Sequence, residues 1–169
     1  MDLAKRAAVL IAFLVGFSSS AQTADCSCCT EEHQAFDFWI GKWNVTDTQG
    51  KLVGTNVIEK VQDDCVLREN WKGTSGATGT STNFFNSTTK QWEQLWVDNS
   101  GSHLKLKGDK KGNQMILSSD EFTHTDGNKY TNRITWTANK DGSVRQLWEI
   151  LKEGKVVNVA FDGLYQREN

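Results

Sequence analysis

From Gly41 onward the chain runs as short stretches in which apolar and polar residues alternate, and none of them carries a sustained 3.6-residue apolar period. Period-two alternation marks a strand with one buried face, so this feature predicts an all-β fold. Strands are expected near 41–47, 52–60, 64–72, 78–86, 90–98, 102–108, 113–119, 129–137, 143–152 and 155–166. Turn formers separate them: Asp47-Thr48-Gln49-Gly50, Asp109-Lys110-Lys111-Gly112, Asp126-Gly127-Asn128, Asn139-Lys140-Asp141-Gly142 and Glu153-Gly154. About ten strands joined by short connections make an up-and-down antiparallel meander. Such a sheet curls and closes to remove its edges, which favours a barrel over a sandwich.

The first residues read as an address. Lys5 and Arg6 precede the uncharged run Ala7 to Phe17, and Ser18-Ser19-Ser20-Ala21 supplies the small residues of a cleavage site. At about 1.5 Å per residue that run reaches roughly 17 Å, short of the roughly 30 Å of a hydrocarbon core, so a signal peptide over residues 1–21 is expected and a membrane anchor is not. Acylation of a lipoprotein cysteine needs a small residue directly before it and a bulky apolar one a few positions earlier, and Gln22-Thr23-Ala24-Asp25 before Cys26 offers neither. The organisation expected is a signal peptide (1–21), a cysteine-containing leader (22–35) and one barrel domain (36–169), exported to a periplasm or secreted. With 19 basic against 21 acidic residues the chain has no polybasic character, which argues against nucleic acid as a partner.

Export makes disulfides the default for Cys26, Cys28, Cys29 and Cys65, and four cysteines allow three complete pairings. A bond between the neighbours Cys28 and Cys29 would be strained, so Cys65 is expected to take one of the other three and staple the leader to the barrel. A metal set of Cys26, Cys28, Cys29 and His33 is the rival reading, but its spacing is tighter than structural zinc patterns. No metal and no cofactor are expected.

Phe36-Asp37-Phe38-Trp39-Ile40-Gly41-Lys42-Trp43 resembles the opening of a calycin barrel, in which a short helical turn precedes a Gly-x-Trp on the first strand. Glu69-Asn70-Trp71, Trp92 to Asp98, Arg133 to Trp136 and Arg145 to Glu149 are similar to an exported bacterial lipocalin-like family of unknown function, over about residues 30–167. The resemblance implies structural roles for Gly41 and Trp43, the tryptophan plugging one end, but no particular ligand. Haem-binding barrels of this kind ligate iron through a histidine near the C-terminus. The last histidine here is His124, in a polar loop, which speaks against haem.

With Trp43 taken as inward, alternation assigns interior faces to the later strands. These are Cys65, Leu67, Glu69 and Trp71; Trp92, Gln94 and Trp96; Leu104 and Leu106; Tyr130, Asn132, Ile134 and Trp136; Val144, Gln146, Trp148 and Ile150; and Val157, Val159, Phe161 and Tyr165. A tryptophan-rich interior with a few polar groups suits a small, mostly apolar ligand. The ligand-binding set expected is Glu69, Trp71, Gln94, Trp96, Asn132, Trp136, Gln146, Trp148 and Tyr165. A solid core is the competing expectation, because small barrels also fill themselves with side chains. Glu69 separates the two: an inward carboxylate is costly unless it is protonated, hydrogen-bonded to Gln94 or Gln146, or paired with a cation. His33, His103 and His124 read as surface residues and no catalytic triad is legible, so no catalytic residue is expected. Acid-base catalysis by Glu69, an isomerisation or cyclisation, is the one enzymatic alternative.

Overall fold

The computed structural model describes residues 26–168, so the expected signal peptide and residues 22–25 of the leader lie outside the described residues. A one-turn helix α1 (Glu31–Gln34) and a 3-10 turn (Asp37–Trp39) precede β1 (Gly41–Thr46), β2 (Leu52–Val61), β3 (Val66–Gly73), β4 (Thr78–Asn86), β5 (Gln91–Asp98) and β6 (His103–Lys111). Then follow β7 (Gln114–Ser118), β8 (Phe122–Thr123), β9 (Lys129–Ala138), β10 (Val144–Lys152) and β11 (Lys155–Arg167). Ten of these close a barrel: each pairs antiparallel with its neighbour, β7 pairs with β9, and β11 returns to β1. The two-residue β8, which falls where the sequence reads as a polar loop, extends the partnership of β9 beyond β7.

One end of the barrel is sealed by the segment that enters it. Thr30 caps α1, its hydroxyl accepting from the His33 backbone N–H. The chain then drives Phe36 and Trp39, stacked at 5.0 Å and both fully buried, into the barrel mouth. The buried indole of Trp43 donates to the Trp39 carbonyl (2.9 Å), and that of Trp92 donates to the Glu32 carbonyl (3.0 Å), so backbone groups of the cap are satisfied by the rings they cover. Gly41 sits at φ +146, and the guanidinium of Arg167 occupies the space a Cβ would take there, lying 4.5 Å over the Trp43 ring. The Gly-x-Trp pattern is thus a backbone platform for a cation stacked on an indole.

Two disulfides fix this cap. Cys26 bonds Cys29 inside the leader, and Cys28 bonds Cys65 in the turn between β2 and β3. Cys65 therefore lies in a turn and not on the inward face of β3, as alternation alone had suggested. Closing a loop across a separation of 37 residues contributes about 3 to 4 kcal/mol on the chain-entropy account. An ion pair between Lys60 and Asp37 (2.8 Å) ties the same two segments.

Ile58, Leu67, Leu106, Met115, Leu117, Ile134, Val144 and Trp136 pack behind the cap and fill that half of the barrel. The far end differs because β10 and β11 overshoot it. β1 pairs only with Leu164 to Arg167, so the earlier part of β11 continues past its neighbour. Two register shifts interrupt the β10–β11 ladder, one skipping Ala160 and turning Val159 outward at 50% exposure, the other skipping Val157, which is 53% exposed. The expected inward placement of these two valines is corrected: the bulges change the face, and the overhang leaves nothing to cover it. Tyr130, also expected inside, sits at the rim with its hydroxyl donating to Asp126 (2.8 Å).

Candidate functional site

The open half encloses a cavity of about 250 Å³. Its walls are Trp71, Trp96, Trp136, Trp148, Phe161 and Leu104, and its polar lining comes from Glu69, Gln94, Gln146, Tyr165 and Asp98. Every residue of the expected ligand-binding set lines it except Asn132. That residue stands one layer back, accepting from the Trp148 indole N–H (2.8 Å) and thereby fixing the ring. The solid-core expectation describes the capped half of the barrel, and the hollow one describes the other.

Neighbouring strands hold the rings flat. Gly54 is so close to Trp71 that a Cβ there would come within 2.5 Å of the ring, and Gly79 gives the same shelf to Trp96. The bulge on β11 brings Ala160 and Phe161, adjacent in sequence, to the same lining.

Glu69 lies on the cavity floor and is 4% exposed. Asn56 Nδ2 donates to its Oε1 (2.7 Å) and the Ser81 hydroxyl to its Oε2 (2.6 Å). A chain of side chains runs on from Ser81: Asn83 Nδ2 donates to the Ser81 hydroxyl (2.8 Å), and Gln94 Nε2 donates to Asn83 Oδ1 (2.6 Å). On the other flank Asn56 reaches the Tyr165 hydroxyl (3.4 Å), which donates to Gln146 Oε1. Ser81 and Asn56 favour the carboxylate, but burial outweighs them and pushes the Glu69 carboxyl up to about 6. Burial, and then the charge of Glu69, raise the Tyr165 hydroxyl well above the ordinary phenol range, so it stays a donor.

The expected partners of Glu69 are thereby corrected. Gln94 reaches Glu69 only through Asn83 and Ser81, Gln146 bonds Tyr165, and no cation pairs with the carboxylate among the described residues. Arg133 binds Glu149 and Arg145 binds Asp162 on the outer face, where alternation had placed them. Asn56, Ser81 and Asn83, which hold the carboxylate in place, were not singled out from the sequence. The ladder puts Ile58 and Ser81 opposite Glu69, and Asn56 opposite Trp71, so counting register outward from Glu69 would have found them.

At the mouth, Asp98 Oδ1 accepts from the backbone N–H groups of Ser100 (2.9 Å) and Ser102 (3.1 Å) and from the Ser100 hydroxyl (2.6 Å). These bonds, the Ser100 hydroxyl first, hold its carboxyl below the usual range and keep it ionised. His33 packs edge-on against Phe85 in the cap, while His103 and His124 are exposed. All four cysteine sulfurs are in disulfides, which leaves no thiolate for the metal set weighed from sequence. Among the described residues no cluster of His, Cys, Asp and Glu has the arrangement of a metal site.

No family model matches the chain, and no curated protein matches it. The closed ten-strand antiparallel barrel is consistent with a calycin-like fold.

Proposed function

We propose that this chain is an exported lipocalin-like barrel that binds a small, mostly apolar molecule in its open half. The observation that carries this reading is a cavity walled by indole rings with one row of interlocked polar groups on its floor. Apolar walls provide most of the binding energy and the sparse polar groups orient the guest. A guest burying about 200 Å² of apolar surface gains roughly 5 kcal/mol at about 25 cal/mol per Å². Lost translational and rotational freedom offsets part of that, so a dissociation constant in the micromolar range or weaker is expected.

The test is titration with N-phenylnaphthylamine, a neutral dye that brightens in apolar surroundings, alongside native mass spectrometry of protein taken from its export compartment. Trp96→Ala and Trp148→Ala should each weaken dye binding by about tenfold, the loss of roughly 1.4 kcal/mol of ring contact, and His103→Ala should leave it unchanged. Equal binding by all three variants would overturn the reading. A stoichiometric small molecule on the native protein would name its chemistry.

A further inference from the structure

We infer that the guest is a primary or secondary amine with an apolar body, its ammonium seated on Glu69 and its body held among Trp71, Trp96 and Trp148; this rests on the binding role proposed above. Among the described residues, the cavity lining contains two charged side chains, Glu69 and Asp98, both acidic, and no Lys, Arg or His. A buried carboxylate without a counter-cation is a costly arrangement for a fold to keep. Asn56 and Ser81 each donate one hydrogen bond to Glu69, one to each oxygen, and a carboxylate accepts about four. Glu69 itself lines the cavity, so capacity remains beside that space.

The fold has basic residues on adjacent strands and turns them away. Arg133 and Arg145 lie on β9 and β10 beside the cavity residues Ile134 and Gln146, yet each is bound to an acidic partner outside, Arg133 through two nitrogens on one oxygen of Glu149 and Arg145 bidentately to Asp162. The counter-charge for Glu69 is thus supplied from neither strand. An ammonium entering the cavity meets the faces of tryptophans, the aromatic side chains that attract cations best. It also passes Asp98 at the mouth, whose fixed negative charge draws cations and repels anions. A primary or secondary amine keeps N–H donors for the free lone pairs of Glu69, whereas a quaternary ammonium has none to offer.

The groups facing Glu69 are Asn56 from β2, Ser81 from β4 and Tyr165 from β11. Of these only Tyr165 titrates, and it stays protonated across the neutral range. Asp98 stays ionised throughout, and a simple alkylamine stays protonated up to about pH 10. Glu69 is therefore the group in the cavity whose charge changes between pH 5 and 8.

Calorimetric titration of the disulfide-intact protein with three probes that share one apolar body reads the inference directly: phenethylamine, phenethyl alcohol and phenylacetate. At pH 8 the amine should bind about tenfold more tightly than the alcohol, with phenylacetate weakest. Lowering the pH from 8 to 5 should weaken the amine severalfold and leave the alcohol unchanged, a readout that needs no variant. Glu69→Gln should abolish the preference, so that the amine and the alcohol bind that variant with equal affinity. An alcohol that binds as well as the amine, or a preference for the amine that survives in Glu69→Gln, overturns the amine inference while the binding role stands. If none of the three probes and no N-phenylnaphthylamine enters the wild-type protein, the binding role falls and the inference with it.

Discussion

The two halves of the barrel are built largely from the same residue type, and they differ in what the rings meet. In the capped half, Trp39, Trp43 and Trp92 are each at most 3% exposed, as is Trp136 on the boundary, one wall of the cavity, and Phe36 packs against Trp39, Trp92 and Trp136 at 5.0 to 5.5 Å. In the open half, Trp71, Trp96 and Trp148 are only partly buried and face an empty volume. No special residue makes that space. The leader delivers two aromatic side chains to one mouth, and no equivalent segment crosses the other among the described residues. A hollow in a small barrel can therefore arise where a second cap is missing, with tryptophans that would otherwise be core left as walls.

The sharpest way to break this comparison is to cut one tryptophan from each half. Trp39→Ala removes a fully buried ring packed on Phe36 and Trp136, and should destabilise the protein by about 3 to 5 kcal/mol in urea unfolding. Trp148→Ala removes a half-buried ring and one hydrogen bond to Asn132, and should cost about 1 to 2 kcal/mol. Equal losses would mean that the open half is core after all.

Much of this division was legible in the chain. Strand positions followed from alternation and turn chemistry, because each strand has one face toward the interior and each connection is short. A plugged end was implied by the resemblance of Phe36 to Trp43 to a calycin opening, which gave that role to Trp43 and did not single out Phe36 and Trp39. What stayed hidden is instructive: Asn56, Ser81 and Asn83 are inward polar residues, and a polar residue facing inward inverts the signal that assigns faces. In β4 the stretch Thr78-Gly79-Thr80-Ser81-Thr82-Asn83 has no apolar face to read. Val157 and Val159 failed the opposite way, being apolar residues on an overhang with no interior beneath them. The choice of Cys28 over its neighbours as the partner of Cys65 depends on where the leader lies against the β2–β3 turn, which spacing does not encode.

A second prediction sharpens the comparison through pH. The Glu69 carboxyl is raised from 4.5 to about 6 in the folded protein, so between these values the unfolded chain has lost a proton that the native state keeps. The unfolded state then binds fewer protons, and stability falls as pH rises. The stabilisation is fully present below about pH 4.5, is lost as pH rises through 6, and amounts to about 2 kcal/mol. Glu69→Gln should flatten that part of the profile and be the more stable protein at pH 8, since Asn56 can still donate to the amide oxygen. A variant that unfolds more easily than wild type at pH 8, with the slope between pH 4.5 and 6 unchanged, would show that the buried charge is not a cost of the open half.

The smallest effect on stability, and the most selective on binding, is expected at Gly79. A Cβ there would strike the ring of Trp96, a flexible neighbour at the edge of an open cavity that can swing toward solvent. Alanine also restricts the unfolded chain, which regains roughly 0.5 to 1 kcal/mol relative to glycine in a strand. The two contributions nearly cancel in stability, while the displaced ring narrows the site, so N-phenylnaphthylamine binding should weaken severalfold. Gly108, on β6 opposite Trp92 and Leu117 in the capped half, is the control. Its Cβ would strike the carbonyl oxygen of Ile116, a backbone atom held in the sheet that cannot yield without shifting a strand. Gly108→Ala should therefore cost about 1 to 3 kcal/mol and leave the affinity of the remaining folded protein largely intact. The same methyl group thus reports on two environments, one that relaxes by closing a cavity and one that relaxes only by deforming the barrel.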